Sequence, residues 1–311
     1  MTDRLITEHH PLLPGDRERL KLVFARNAAL SARYGDDRRS YYAALTALTP
    51  ITAGVAMEQV EEEEARGWWL TPQAPLERRA ILFVHGGGYH LGDAQSYRGF
   101  ASHIAAAARC VVFVVDYPLA PEQRFPAAYE HVLRARNWLA ARGNRQLAML
   151  GDSAGGGLVL AALGEPLKGS VVTSVVAFSP WTDLACAGTS LSDPTTLDPV
   201  FKPEVLVGLA RSYLSGADPR DRRASPLYHI PETPPGVTPP ALGLQVGSDE
   251  ILLDDARRYA WAAAKKGLQV RLDIYDGLYH VFQRDIGAIE AAQQAVDSAA
   301  AFIAEHWVQD V

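Results

Sequence analysis

The sequence is poor in cysteine, contains no long apolar run and shows no excess of basic residues. Only Cys110 and Cys186 occur in 311 residues, and they form no CxxC pair. That excludes a disulfide framework and points to reduced, buried thiols in a reducing compartment. No apolar run approaches the roughly 20 residues of a spanning helix, so membrane insertion is not expected. The first residues, MTDRLITEHHPLLPGDRERL, lack a basic segment followed by an apolar one. A secretory signal is therefore not read, and the expected location is cytoplasmic. Lys and Arg number 30 against 36 Asp and Glu, for a net charge of −6. A nucleic-acid partner would call for a concentrated basic face, so none is expected. The short clusters Arg78-Arg79 and Arg220 to Arg223 read as solvated surface. There is no internal repeat, and the one biased tract is the proline-rich PETPPGVTPP at 231–240.

What is present suits a folded α/β protein. Hydrophobic residues make up 48% and charged residues 21%, enough for a sizeable core, and the length fits one large α/β domain spanning 1–311. Residues 16–33 place Leu20, Val23, Phe24 and Leu30 at helical spacing, with Asp16 as the expected N-cap. Residues 54–70 read as strand material, with Glu61 to Glu64 on an exposed strand or turn. From residue 80, the runs ILFVH, VVFVVD, LAML, VVTSVVAF, ALGLQV and QVRLDIY alternate with helix-length segments. Apolar strands without strict alternation, separated by helices, predict a mostly parallel sheet with helices on both faces. The rhythm breaks between 178 and 241, where a helical stretch, VFKPEVLVGLARSYL, and the proline-rich tract read as an insertion over the C-terminal edge of the sheet.

The most informative stretch is LAMLGDSAGGGLVLAAL at 147–163, a strand running through Gly151-Asp152-Ser153-Ala154-Gly155 into a helix. A serine on so tight a strand-to-helix turn adopts a strained backbone, and side chains two residues before or after it would clash. The helix below offers free N–H groups to a developing oxyanion. Acyl transfer at Ser153 also requires a base, an acid to orient that base, and oxyanion donors. On this type of sheet the acid and then the base follow the serine in the chain. His280, in the loop YDGLYHVF after a strand, is the base candidate, whereas His306 falls in a terminal helical segment. Asp249, in the loop of ALGLQVGSDE, is the preferred acid and its neighbour Glu250 the main rival. Asp254 and Asp255 read as part of the next helix, and Asp183 as a capping residue. The oxyanion donors are expected from Ala154 and from the loop His85-Gly86-Gly87-Gly88, whose glycines leave backbone N–H groups unshielded. HGGGYHLG lacks the spacing of a dinucleotide fingerprint, and His85 and His90 have no acid or cysteine at metal-ligand spacing, so His85 reads as a brace for the loop.

Taken together, His85-Gly86-Gly87-Gly88, YPLAPEQRFPAAYE at 117–130, GDSAGG at 151–156, Asp249 and His280 resemble the hormone-sensitive-lipase group of α/β-hydrolases, bacterial carboxylesterases, over residues 78–285. Many members carry the acid in a D-P-L sequence, whereas Asp249 here precedes Glu250 and Ile251. The resemblance implies Gly87 and Gly88 as donors beside Ala154, and Asp116 and Glu122 as supports of the oxyanion loop. It implies a helical cap formed by about 1–50 and an insertion at about 185–230, and no cofactor or metal. It also implies a small-molecule ester as substrate, with a short acyl chain. A homodimer would use the sheet edge or its last helices, with the strand QVRLDIY as the candidate surface if it is an edge. An amidase, formamidase or lactonase would share the same machinery, with Trp181, Phe201 or Tyr213 as residues that could decide. A non-catalytic binder resembling the plant gibberellin receptors would lack the histidine that stands here as His280.

Overall fold

The computed structural model describes residues 4–232 and 236–308, so part of the proline-rich tract and the first residues of the expected cap lie outside the described residues. The strands are β1 (Leu5–His10), β2 (Val55–Glu62), β3 (Ala65–Pro72), β4 (Arg79–Val84), β5 (Val111–Val115), β6 (Gln146–Asp152), β7 (Val171–Phe178), β8 (Ala241–Gly247) and β9 (Val270–Tyr275). The helices are α1 (Pro14–Tyr34), α2 (Arg38–Thr46), α3 (Arg98–Ala108), α4 (Ala127–Ala141), α5 (Ala154–Ala162), α6 (Thr189–Ser192), α7 (Pro203–Leu214), α8 (Leu253–Lys265) and α9 (Glu290–Glu305). One nine-stranded sheet has the order β1-β9-β8-β7-β6-β4-β5-β3-β2, antiparallel where β3 meets β2 and β5 and parallel elsewhere. This is the mostly parallel sheet that the alternating pattern predicts, in the α/β-hydrolase arrangement that the resemblance implies. Among the described residues, no helix is long and apolar enough to cross a membrane.

The continuous apolar strands follow from burial on both faces. In β4, Ile81 and Phe83 join one core with Phe100 and Ile104 of α3 and Val296 of α9, whereas Leu82 and Val84 join the other with Val132 of α4 and Leu158 of α5. Each fully buried side chain of this size stabilises by about 1.5–3 kcal/mol relative to exposure, so a polar residue on either strand face would be costly.

The structure alters three sequence expectations. Asp16 does not cap its own helix, which begins at Pro14 after Leu13. It is fully buried, and its carboxylate accepts the Glu290 and Ala291 N–H groups, both at 2.9 Å, capping α9 instead. LITEHH, not read as a strand, forms β1 and pairs in parallel with β9. The QVRLDIY strand is therefore interior, and the sheet ends at β1 and β2. The acidic run Glu61 to Glu64 does lie at the β2–β3 hairpin turn, as expected of a solvated stretch.

Candidate active site

β6 delivers Ser153 to the C-terminal edge of the sheet, where it caps α5 with φ 54° and ψ −119°. Its backbone is fixed on both sides, donating to Phe178 O at 2.8 Å and accepting from the Trp181 and Gly157 N–H groups at 3.0 Å. The flanking glycines are sterically required. A Cβ on Gly151 would fall 2.5 Å from Gly155 O, and one on Gly155 would fall 2.0 Å from Val84 O.

His280 follows β9 and is nearly fully buried. Its Nε2 lies 2.9 Å from Ser153 Oγ and its Nδ1 lies 2.7 Å from Glu250 Oε2. An ionised carboxylate only accepts, so the imidazole proton sits on Nδ1 and Nε2 is left as the acceptor facing the serine hydroxyl. Phe201 packs edge-on against the ring, centroids 5.0 Å apart.

The carboxylate at the base is thus Glu250, not Asp249. Asp249 turns aside and accepts from its neighbour Ser248 Oγ at 2.8 Å. Glu250 is fully buried, and its second oxygen accepts from Gly247 N–H at 2.7 Å and Ser179 Oγ at 2.8 Å. Ser179 also accepts the Val281 N–H at 3.0 Å, so one hydroxyl links the loops of acid and base. Two adjacent acids after β8 leave the loop's last turn to decide which side chain faces inward, and residue spacing does not encode that turn. The other candidates are used in structure: Asp183 accepts from the Ala185 and Ala187 N–H groups, Asp254 from Ser190 N–H, and Asp255 from the Thr182 and Asp183 N–H groups. Burial pushes the Asp255 carboxyl up to about 7, with the Asp183 charge adding to the effect.

The geometry of the oxyanion loop follows from peptide planarity. In a trans peptide the C=O and the following N–H point in opposite directions. Gly86 O accepts from His85 Nδ1 at 2.8 Å, and Gly87 O accepts from the His90 and Leu91 N–H groups at 3.1 and 3.0 Å. Ser153 O is held as described above. These three carbonyls fix the peptide planes whose N–H groups belong to Gly87, Gly88 and Ala154. Gly87 and Gly88, with φ 115° and 60°, line one cavity of about 370 Å³ with Ser153 and His280. His85 and His90 both hold loop carbonyls, His90 Nδ1 donating to Gly88 O at 2.8 Å while its Nε2 meets Ser212 Oγ of α7 at 2.9 Å.

Comparison with known proteins now bears on this constellation. A family profile described as alpha/beta hydrolase fold matches residues 81–284. The crystal structure of an esterase from the bacterial hormone-sensitive lipase family superposes with a TM-score of 0.84 at 34% identity, covering 93% of this chain and 98% of that one. The chain belongs to the hormone-sensitive-lipase family of α/β-hydrolases. An acetyl-hydrolase of Streptomyces hygroscopicus is 36% identical over 244 residues, 76% of this hydrolase and 78% of the relative. An esterase of Acinetobacter venetianus is 31% identical over 264 residues, 83% and 85% of the two chains.

Further residues of this hydrolase support the site, some of them not read as such in the sequence. Asp152, beside the serine, accepts from Gly86 N–H at 2.9 Å and from Tyr97 Oη at 2.9 Å, tying the elbow to the oxyanion loop. Burial raises its pKa, against the opposing effects of Arg284, Tyr97, His85 and Gly86. Asp116 holds the segment after the loop through Ala94 N–H at 2.5 Å. Glu122 acts at one remove: it pairs with Arg39 at 2.7 Å, and Arg39 donates to His90 O at 3.1 Å. Of the three aromatic residues singled out in the insertion, Phe201 lines the cavity, whereas Trp181 and Tyr213 are fully buried in the core. The remaining cavity wall includes Phe24 and Ser31 of α1, Tyr42 and Leu45 of α2, and Val200 and Leu209.

Proposed function

We propose that this hydrolase is a serine carboxylesterase that cleaves short-chain carboxylic esters through an acyl-enzyme. The observation that carries the reading is the unbroken relay Ser153–His280–Glu250, at 2.9 and 2.7 Å, at the wall of a cavity that also holds Gly87 and Gly88. Ser153 Oγ attacks the ester carbonyl as its proton passes to His280 Nε2. Glu250 holds the imidazole in the required tautomer and stabilises it once charged. The N–H groups of Gly87, Gly88 and Ala154 receive the oxyanion, each such donor being worth about 3 kcal/mol of barrier. His280 then protonates the departing alcohol and, as base, activates the water that hydrolyses the acyl-enzyme.

The cap in this proposal comprises the expected 1–50 less the sheet strand β1, together with about 185–230, since α1, α2 and residues between 199 and 209 line the cavity. A volume of about 370 Å³ is near the low end for ligand pockets and favours a compact acyl group. The relatives named acetyl-hydrolase and esterase point the same way. The unpaired Cys110 and Cys186 fit a cytoplasmic setting. Hydrolysis of p-nitrophenyl esters from acetate to palmitate, by the native protein and by Ser153→Ala, tests the proposal. Turnover of the short esters that vanishes in the variant supports it. No turnover at any length, or turnover that survives the substitution, sinks it.

A further inference from the structure

The cavity contains more than the ester-cleaving groups. Arg284 lies in the turn that follows His280 and lines the same cavity as Ser153. Its Nη1 donates to Tyr42 Oη at 2.8 Å and Tyr97 Oη at 3.3 Å, and Tyr97 continues to Asp152. That chain of hydrogen bonds fixes the plane of the guanidinium. The described residues give Nε and Nη2 no hydrogen-bond partner. Those two nitrogens form the side edge of the guanidinium, whose parallel N–H bonds match the two oxygens of a carboxylate.

The surrounding charges leave that edge open. Asp285 is the one acid among the described residues lining the cavity, and both of its oxygens are engaged, by Arg26 Nη2 at 2.6 Å and by Tyr279 Oη. Arg38 of α2 adds a second cation to the wall, its described contact being the Tyr41 ring at 5.5 Å. Burial opposes the charge on Arg284, but the nearby phenols, Asp152 and Asp285 more than offset it, and the guanidinium stays protonated. Phe24, Leu45 and Val200 line the cavity with apolar surface suited to a short methylene chain. A neutral ester filling this space would leave two donors facing hydrocarbon, and an unpaired buried donor is costly.

We propose that the preferred substrate is an ester carrying a second, ionised carboxylate, bound side-on by Nε and Nη2 of Arg284. The inference rests on the esterase reading. It places Arg284 as a specificity residue and Arg38 as a weaker, more exposed contributor.

The test compares monomethyl esters of the C4 to C7 dicarboxylic acids with the uncharged methyl esters of matched length, by pH-stat. A parallel arm compares 4-acetoxybutanoate with butyl acetate, which distinguishes a carboxylate on the acyl side from one on the alcohol side. The quantity read is the ratio of kcat/KM for the charged ester to that for the neutral one. The native ratio should exceed one in at least one arm. Arg284→Met should lower it tenfold or more, Arg284→Lys should lower it less, and Arg38→Ala should lower it a few-fold. A native preference for the neutral ester throughout overturns the inference, as does a ratio unmoved by all three variants. Hydrolysis of neither class refutes the esterase reading itself, and the inference falls with it.

Discussion

Replacing Glu250 by Gln should inactivate the protein while leaving its fold intact, and the hydrogen bonds show why. Glu250 Oε1 accepts two donors, Gly247 N–H and Ser179 Oγ, at 2.7 and 2.8 Å. A glutamine in the same pose keeps those bonds only by placing its carbonyl oxygen there, which turns its NH₂ toward His280. The amide then donates to Nδ1, the imidazole proton moves to Nε2, and the nitrogen facing Ser153 is no longer a base. In a serine-protease triad the equivalent change costs about 10⁴ in kcat, or about 5 kcal/mol of barrier. The same loss is expected in kcat for p-nitrophenyl butyrate, with KM little changed. Asp249→Asn, measured beside it, should stay within about twofold, because Asp249 bonds only Ser248 Oγ among the described side chains. Circular dichroism melts would show both variants folded. If Asp249→Asn lost three or more orders of magnitude while Glu250→Gln kept most of its activity, the assignment of the acid and the tautomer argument would both be wrong.

Three further predictions concern the supports. Asp152→Ala strands the Gly86 N–H, at about 1–3 kcal/mol, and takes from the Tyr97 hydroxyl one of its partners, leaving Tyr42 and Arg284; kcat on a short ester should drop about tenfold or more, and Asp152→Asn, which keeps an acceptor for Gly86, should retain more activity. Asp16→Ala removes the cap of α9 and should lower stability by about 1–2 kcal/mol, read as a loss of a few degrees in Tm with kcat unchanged; an unaltered Tm would refute the capping role. Burial, reinforced by Arg134 and Arg66, holds the His131 pKa down at about 4 against an ordinary 6.5. Its stabilising contribution is therefore complete above pH 6.5 and is lost as pH falls through about 4, an effect of about 3 kcal/mol. Denaturant titrations between pH 7 and 4 should show His131→Leu with a flatter acid limb than the native protein, and equal slopes would refute the shift.

What the sequence made legible and what it hid divide along a physical line. The sheet was readable because strands buried on both faces must be apolar throughout, as Ile81 to Val84 are, and helices between them force parallel pairing. Ser153 and the glycines around it were readable because sterics admit so few residues there. LITEHH was not readable, because an edge strand with one partner and much exposed surface needs no apolar pattern; its pairing with β9 is held by backbone hydrogen bonds that any sequence supplies. Asp16 carried an N-cap signal, yet the helix end it satisfies belongs to α9, distant in the chain, and only the packing of α1 against α9 brings them together. The acid was hidden for a related reason. Asp249 and Glu250 carry the same charge at adjacent positions, so neither composition nor spacing separates them. What separates them is the pair of donors, Gly247 N–H and Ser179 Oγ, that captures the second oxygen of Glu250 and points the first at His280. Ser179 stands just past the end of β7, which pairs with β8 in the sheet but lies far from it in the chain, so the residue that helps select the acid is visible only after the sheet has formed.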